Sequence, residues 1–132
     1  SIAACYNYLG DICRQQENYE KALEYYRTAV EKGTGKVITN GLGQFYSNIG
    51  QIYHLEKNLE KAEEYLEKAI SCLKSHGYLW GLERTEAYMA MVKRDSGKMD
   101  EAKEHYLESW KISEKIKNPT TLKLLKEMEG TI

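Results

Sequence analysis

Apolar and small residues recur at spacings of three and four along almost the whole chain. Ala3, Tyr6, Leu9, Gly10 and Cys13 fall on one face of a helix predicted over about Ile2–Gln16. The same pattern predicts helices over about Tyr19–Lys32, Leu59–Ser75, Tyr78–Asp95, Met99–Lys117 and Thr120–Glu129. A further helix begins between Lys36 and Leu42, its start blurred by Gly41 and Gly43, and ends near Lys57. The breaks carry turn chemistry. Gly33-Thr34-Gly35 and Ser75-His76-Gly77 end helices, and Gly97 suits a left-handed C-terminal cap. Pro119, the only proline, suits the first turn of the last helix. Few β-branched residues favour helix over sheet.

The pattern also repeats. Asn18-Tyr19-Glu20-Lys21-Ala22 returns forty residues later as Asn58-Leu59-Glu60-Lys61-Ala62, and again as Lys98-Met99-Asp100-Glu101-Ala102. At this shift Gly10, Gly50, Ala90 and Gly130 align, as do Leu9, Ile49 and Met89. Tyr26, Leu66 and Tyr106 share a column, and so do Ala29, Ala69 and Ser109. A fixed period over most of a chain means stacked copies of one supersecondary unit. Gly10 and Ala22 let the two helices of a hairpin approach closely, and a bulky residue at either would cost about 1–3 kcal/mol.

These columns resemble the tetratricopeptide repeat (TPR), whose helix-turn-helix unit alternates aromatic, Leu-Gly and Ala positions. Tyr6, Leu9, Gly10, Tyr19, Ala22, Tyr26 and Ala29 carry the resemblance in the first copy. Tyr46, Ile49, Gly50, Tyr53, Leu59, Ala62, Leu66 and Ala69 carry it in the second, and Met89, Met99, Ala102 and Tyr106 in the third. Glu86 and Lys93 stand in two aromatic columns of the third copy. The resemblance implies an all-α, right-handed α-solenoid: repeats at 3–36, 43–76 and 83–116, then a C-terminal capping helix at 119–132 whose Lys126 and Glu129 give it a polar face. The standard unit has 34 residues, so the period here is of the extended kind. Such repeats are similar to those of peptide-sensing regulators of Gram-positive bacteria, spindle-orientation G-protein modulators and kinesin light chains. The chain starts in a helical pattern without Met or a cap, so we expect it to be part of a longer protein.

Composition narrows function. The 132 residues carry a net charge of −1, and no basic stripe recurs at the repeat period, which argues against a nucleic-acid surface. No run of apolar residues is long enough to span a membrane. Three cysteines, an odd number set in helical columns, suit a reducing cytoplasm. Gly33-Thr34-Gly35-Lys36 lacks the upstream Gly and following Ser or Thr of a phosphate loop, and reads as a turn. Cys72 and His76 are spaced like metal ligands, but no second pair follows, so neither metal nor cofactor is expected. The carboxylates sit at solvent-facing spacings, Glu64 with Lys68 forming an i,i+4 pair, and no catalytic cluster stands out. Most of the eleven tyrosines occupy core columns.

The remaining candidates come from the resemblance, which places the non-core positions of each repeat's first helix along a concave groove. These are Asn7, Tyr8, Asp11 and Arg14 in the first copy; Gln44, Ser47, Asn48, Gln51 and His54 in the second; and Arg84, Ala87, Tyr88, Met91 and Arg94 in the third. Asn48 could donate to and accept from a peptide backbone. Arg84 and Arg94 could pair with acidic groups, and Tyr8 and Tyr88 offer flat contact area. The family's dicarboxylate clamp is not expected: Asn48 and Arg84 match it, but Asp11 would repel a carboxylate and Tyr88 replaces an Arg. The expectation is a non-catalytic module that binds a peptide or protein segment in this groove, within a larger bacterial regulator or scaffold. The alternative is self-association, through the N-terminal end and a surface Trp80.

Overall fold

The computed structural model of the chain describes residues 1–33 and 40–132. Seven helices and no strand occur among them. They are α1 (Ile2–Gln15), α2 (Tyr19–Gly33), α3 (Asn40–Leu55), α4 (Leu59–Ser75), α5 (Leu82–Asp95), α6 (Met99–Ile116) and α7 (Pro119–Met128). Helices α1–α2, α3–α4 and α5–α6 pair as hairpins, α2 packs on α3, α4 on α5, and α7 on both α5 and α6. This is the all-α solenoid that the period implies. The phosphate-loop-like stretch lies, from Thr34 on, outside the described residues.

Each hairpin turn closes in the same way. The amides of Asn18, Asn58 and Lys98 each donate to a carbonyl five residues back, on Cys13, Tyr53 and Lys93, at 2.8 Å. That bond needs a left-handed residue just before the donor. Glu17, Lys57 and Gly97 supply it, with φ of 61°, 64° and 80°. Glycine adopts this conformation without strain, whereas other L-residues are about 1–2 kcal/mol worse there. Lys57→Gly should therefore stabilise the chain by about 0.5–1 kcal/mol, after allowing for the extra freedom of glycine in the unfolded state. A rise in the thermal midpoint of a few degrees checks this, and a fall refutes it. Asn18 and Asn58 then cap the following helices through Oδ1, which accepts from the amides of Lys21 and Lys61.

The core follows the repeat columns. Ala22, Ala62 and Ala102 are fully buried, as are Ala29, Ala69 and Ser109. The close approach at the glycine column is real, but its nearest partner is the large residue of the second helix rather than the alanine. A Cβ on Gly10 would lie 2.5 Å from the Tyr26 ring, and one on Gly50 would lie 2.7 Å from Leu66 Cγ. The large residue of the second helix thus fills the space left by the glycine of the first. Gly130 shares the column in sequence only; it follows α7 with a φ of 85° and faces nothing.

Three other expectations need correction. Helix α5 starts at Leu82 rather than near Tyr78, because Gly81 takes a left-handed φ of 91° and ends the connection there. Of the eleven tyrosines, only Tyr26 and Tyr53 are buried; most others are half-buried against the core, and Tyr8 is exposed. Lys68 does not pair with Glu64. Its ammonium lies 4.9 Å from the Tyr65 ring centroid and 5.9 Å from that of Tyr46, a cation–π position.

Candidate functional site

The predicted groove residues come together, and most are tied across repeats. The first helix of each repeat lies beside the first helix of the next: α1 by α3, α3 by α5, α5 by α7. Asn48 Nδ2 donates to Asn7 Oδ1 at 2.8 Å, and Arg14 donates to Gln51 Oε1 at 2.8 Å. Arg84 donates to Gln44 Oε1 at 2.6 Å, and the Gln44 amide donates to the Trp80 carbonyl at 3.1 Å. His54 lies 2.7 Å from Asp95, which also accepts from Arg94 at 3.0 Å, and Arg94 reaches Thr131 of the C-terminal turn at 2.9 Å. The hydroxyl of Thr85 bonds that of Ser47 beneath them. A ladder of hydrogen bonds thus runs across the first helices, each rung joining one repeat to the next.

Several of these contacts redefine what the residues can do. Asn48 is only 4% exposed, so its first role is the link to Asn7. Met91 and Ala87 pack in the cluster formed with Leu125 and Met128 of α7, so the last helix covers this end of the third repeat. Tyr8, by contrast, is 71% exposed. Asp11 accepts from the Tyr26 hydroxyl and lies 3.7 Å from Arg14. Burial pushes the Tyr26 phenol well up, and the bond to Asp11 adds to this, so it stays protonated.

At the centre lies Tyr88, half-buried, with Arg84, Arg14 and Asp11 near enough to act on it electrostatically. Burial raises its phenol pKa, and the two guanidinium groups pull the other way. Arg84 differs from the other groove cations. Arg14 has Asp11, and Arg94 has Asp95. Arg84 has only the neutral Gln44 oxygen, and its Nε is buried without a hydrogen-bond partner. No carboxylate pairs with its guanidinium among the described residues. The neighbouring Glu83 is buried and spends both oxygens on backbone amides, those of Gly81 and Arg84 at 3.0 and 2.7 Å.

Sequence reasoning missed the buried charges. Glu83 and Glu86 are not solvent-facing, and Glu86 is 2% exposed with Oε1 unpartnered and Oε2 3.4 Å from His105. Lys93 is 5% exposed and holds Glu63 and, at 3.2 Å, Glu101; Lys98 also reaches Glu63 at 3.4 Å. The signal was present: Glu86 and Lys93 occupy columns that the second copy fills with Tyr46 and Tyr53. His76 turns back onto the Cys72 carbonyl at 2.7 Å.

The sequence profile of the tetratricopeptide repeat matches residues 3–33 and 43–71, the first two hairpins. These two segments are tetratricopeptide repeats. A search of curated protein sequences gave no match. Among solved structures, the TPR chain superposes on aspartyl phosphate phosphatase F from Bacillus subtilis with a TM-score of 0.84 at 19% identity, over 94% of its own length and 32% of that protein. It therefore spans about a third of that relative. It also resembles the N-terminal domain of stress-induced protein-1 (STI-1) from C. elegans, with a TM-score of 0.69, 20% identity, and coverage of 96% and 94%. BtubC (BKLC) from P. vanneervenii gives 0.73 and 20%, over 83% of this chain and 44% of that one. Likeness at this identity speaks for the fold. TPR repeats are typically non-catalytic interaction modules, and protein partners follow from them. No helix among the described residues is long and apolar enough to cross a membrane.

Proposed function

We propose that this TPR module binds an extended peptide or protein segment bearing an acidic group in its concave groove, as one part of a larger bacterial regulator or scaffold in the cytoplasm. The observation that carries this reading is Arg84. It is a groove cation with a neutral partner, an unpartnered Nε and an aromatic neighbour, Tyr88. A carboxylate from a ligand would give its guanidinium the counter-charge that no described residue supplies. Along the first helices, the exposed Tyr8 of the first repeat supplies further contact area. The shared architecture with part of a bacterial phosphatase supports membership in a larger assembly. The free thiols of Cys5, Cys13 and Cys72 suit a reducing compartment.

A random-peptide display selection tests the reading. Enriched peptides should carry Asp, Glu or a free C-terminus, and Arg84→Gln should weaken them at least tenfold with the helical circular-dichroism signal unchanged. Enrichment indifferent to both Arg84→Gln and Tyr88→Ala would sink it. Because Asn48 joins two repeats, its replacement tests coupling as well as binding and is the poorer probe.

One observation favours a second reading, self-association. Ile2, Leu9 and Ile12 of α1 are exposed, although the columns of Leu9 and Ile12 are buried in α3 and α5 (Ile49 and Ile52, Met89 and Val92), against which α2 and α4 pack. Ile12→Lys should abolish any concentration-dependent dimer seen by light scattering, and a monomer at all concentrations excludes this reading.

A further inference from the structure

The connection between α4 and α5 is fixed at both ends, although it contains no regular structure. At its start the Tyr78 amide donates to the Leu73 carbonyl at 3.0 Å, across a left-handed Gly77. At its end the Leu82 amide donates to the Leu79 carbonyl, the Gly81 amide to Glu83, and the Gln44 side chain to the Trp80 carbonyl. Gly81 holds a left-handed φ of 91° that strains any other residue, and a Cβ there would also push aside Gln44, whose Nε2 would lie 1.8 Å away. What this held backbone displays is apolar: Leu79 and, 58% exposed, Trp80. An aromatic on a backbone already ordered loses little entropy when a partner covers it, and tryptophan is over-represented among residues that dominate binding.

Beside it lies a pocket of about 270 Å³. Leu73, Tyr78, Leu79, Leu82 and Ile112 form its apolar wall. Lys74, Lys111 and Lys115 stand around it with a single acid, Glu108, and none of the three lysines is in an ion pair among the described residues. An apolar cavity of ~150 Å³ takes one benzene ring, so this pocket has room for an aromatic or large aliphatic side chain and part of a neighbour. It is built from α4, α6, the connection and Leu82 at the start of α5, whereas the proposed groove residues lie on α1, α3 and α5 from Arg84 onwards.

We infer that this pocket is a second docking site, which takes an apolar side chain of a partner segment flanked by Asp or Glu, with Trp80 covering the segment beside it. The apolar wall selects the anchor, and the unpaired lysines select its acidic neighbours. The site is independent of Arg84 and stands whether or not the groove binds peptide.

The test uses the full chain carrying Arg84→Gln and Tyr88→Ala, so that the groove contributes little. A random-peptide display library should enrich sequences with Phe, Leu or Trp between acidic residues. Binding should fall at least tenfold with Leu79→Lys, and as much with Lys111→Glu together with Lys115→Glu; all three positions are solvent-accessible, and circular dichroism confirms the fold. The inference is overturned if nothing is enriched above the Leu79→Lys control, or if the enriched peptides lack acids. It is equally overturned if the protein itself is the occupant, shown by sedimentation as a dimer that Leu79→Lys dissociates.

Discussion

Leu66→Ala is expected to lower the unfolding free energy by about 2–5 kcal/mol, towards the upper end of that range. Leu66 is fully buried in the middle hairpin and fills the gap that Gly50 leaves open. Truncation loses the apolar burial and leaves a cavity against a helix backbone that cannot close on it. Gly50→Ala alone should cost about 1–3 kcal/mol, because its Cβ would stand 2.7 Å from Leu66 Cγ and 3.3 Å from the Ala62 carbonyl oxygen. The two changes share one space, so together they should cost less than their sum, with a coupling of at least about 0.5 kcal/mol. Urea denaturation followed by far-ultraviolet circular dichroism measures all three variants. Additive costs would mean that glycine and leucine do not exchange volume, and the account of the repeat's packing would be wrong. In a solenoid stability passes through neighbours. A weakened middle hairpin should therefore also loosen the outer two.

Much of this fold was legible because the period forces it. Once Gly10 and Gly50, Ala22 and Ala62, and Tyr26 and Leu66 are set in register, the hairpins and their order follow. What the period could not give is which glycine acts by size and which by conformation. Gly50 is needed for space, Gly97 for its left-handed turn, and Gly130 shares a column with Gly50 while serving a turn. The start of α5 was misplaced for the same reason, since Gly81 serves by its left-handed φ of 91° and not as a small residue within a helix.

The groove was legible as a set of positions and not as a set of contacts. Asn7 with Asn48, Gln44 with Arg84 and His54 with Asp95 sit about one period apart, so the rungs were implied by the repeat itself. Family resemblance points at the positions a ligand sees, and says nothing about which of them the protein has already used. Arg84 emerged only when its neighbours had been matched to other partners, Arg14 to Asp11 and Arg94 to Asp95.

Lys93 makes the corresponding point for the interior, and its removal should be the second costly change. Its ammonium is buried between Glu63 of the middle hairpin and Glu101 of the last one, with Lys98 close by. Breaking a fully buried pair costs about 3–5 kcal/mol, but Glu63 and Glu101 keep contact with water, so Lys93→Met should cost about 1–3 kcal/mol. The pH dependence gives the signature. The hydrogen bond from Lys93 holds the Glu63 carboxyl below its ordinary value of 4.5. Stability from Glu63 is therefore present above pH 4.5 and lost as the pH falls through the lowered folded value. For Lys93, burial opposes the charge, and the bonds to Glu63 and Glu101 outweigh it, raising its pKa above 10.5. Its stability is present below pH 10.5 and lost as the pH rises through the raised value. Lys93→Met should flatten the alkaline loss and reduce the acid loss, leaving the part due to Asp95, whose carboxyl is held below 3.8, against the effect of burial, by His54 and Arg94. Adding Glu63→Leu should recover stability, because an apolar pair of similar volume needs no counter-charge. If Lys93→Met instead leaves both limbs of the stability–pH curve unchanged, the cluster is a by-product of packing. If the limbs flatten as expected, the third repeat has exchanged the aromatic contact that the middle repeat uses, Tyr53 on Tyr65 at 5.6 Å, for an ionic link between hairpins.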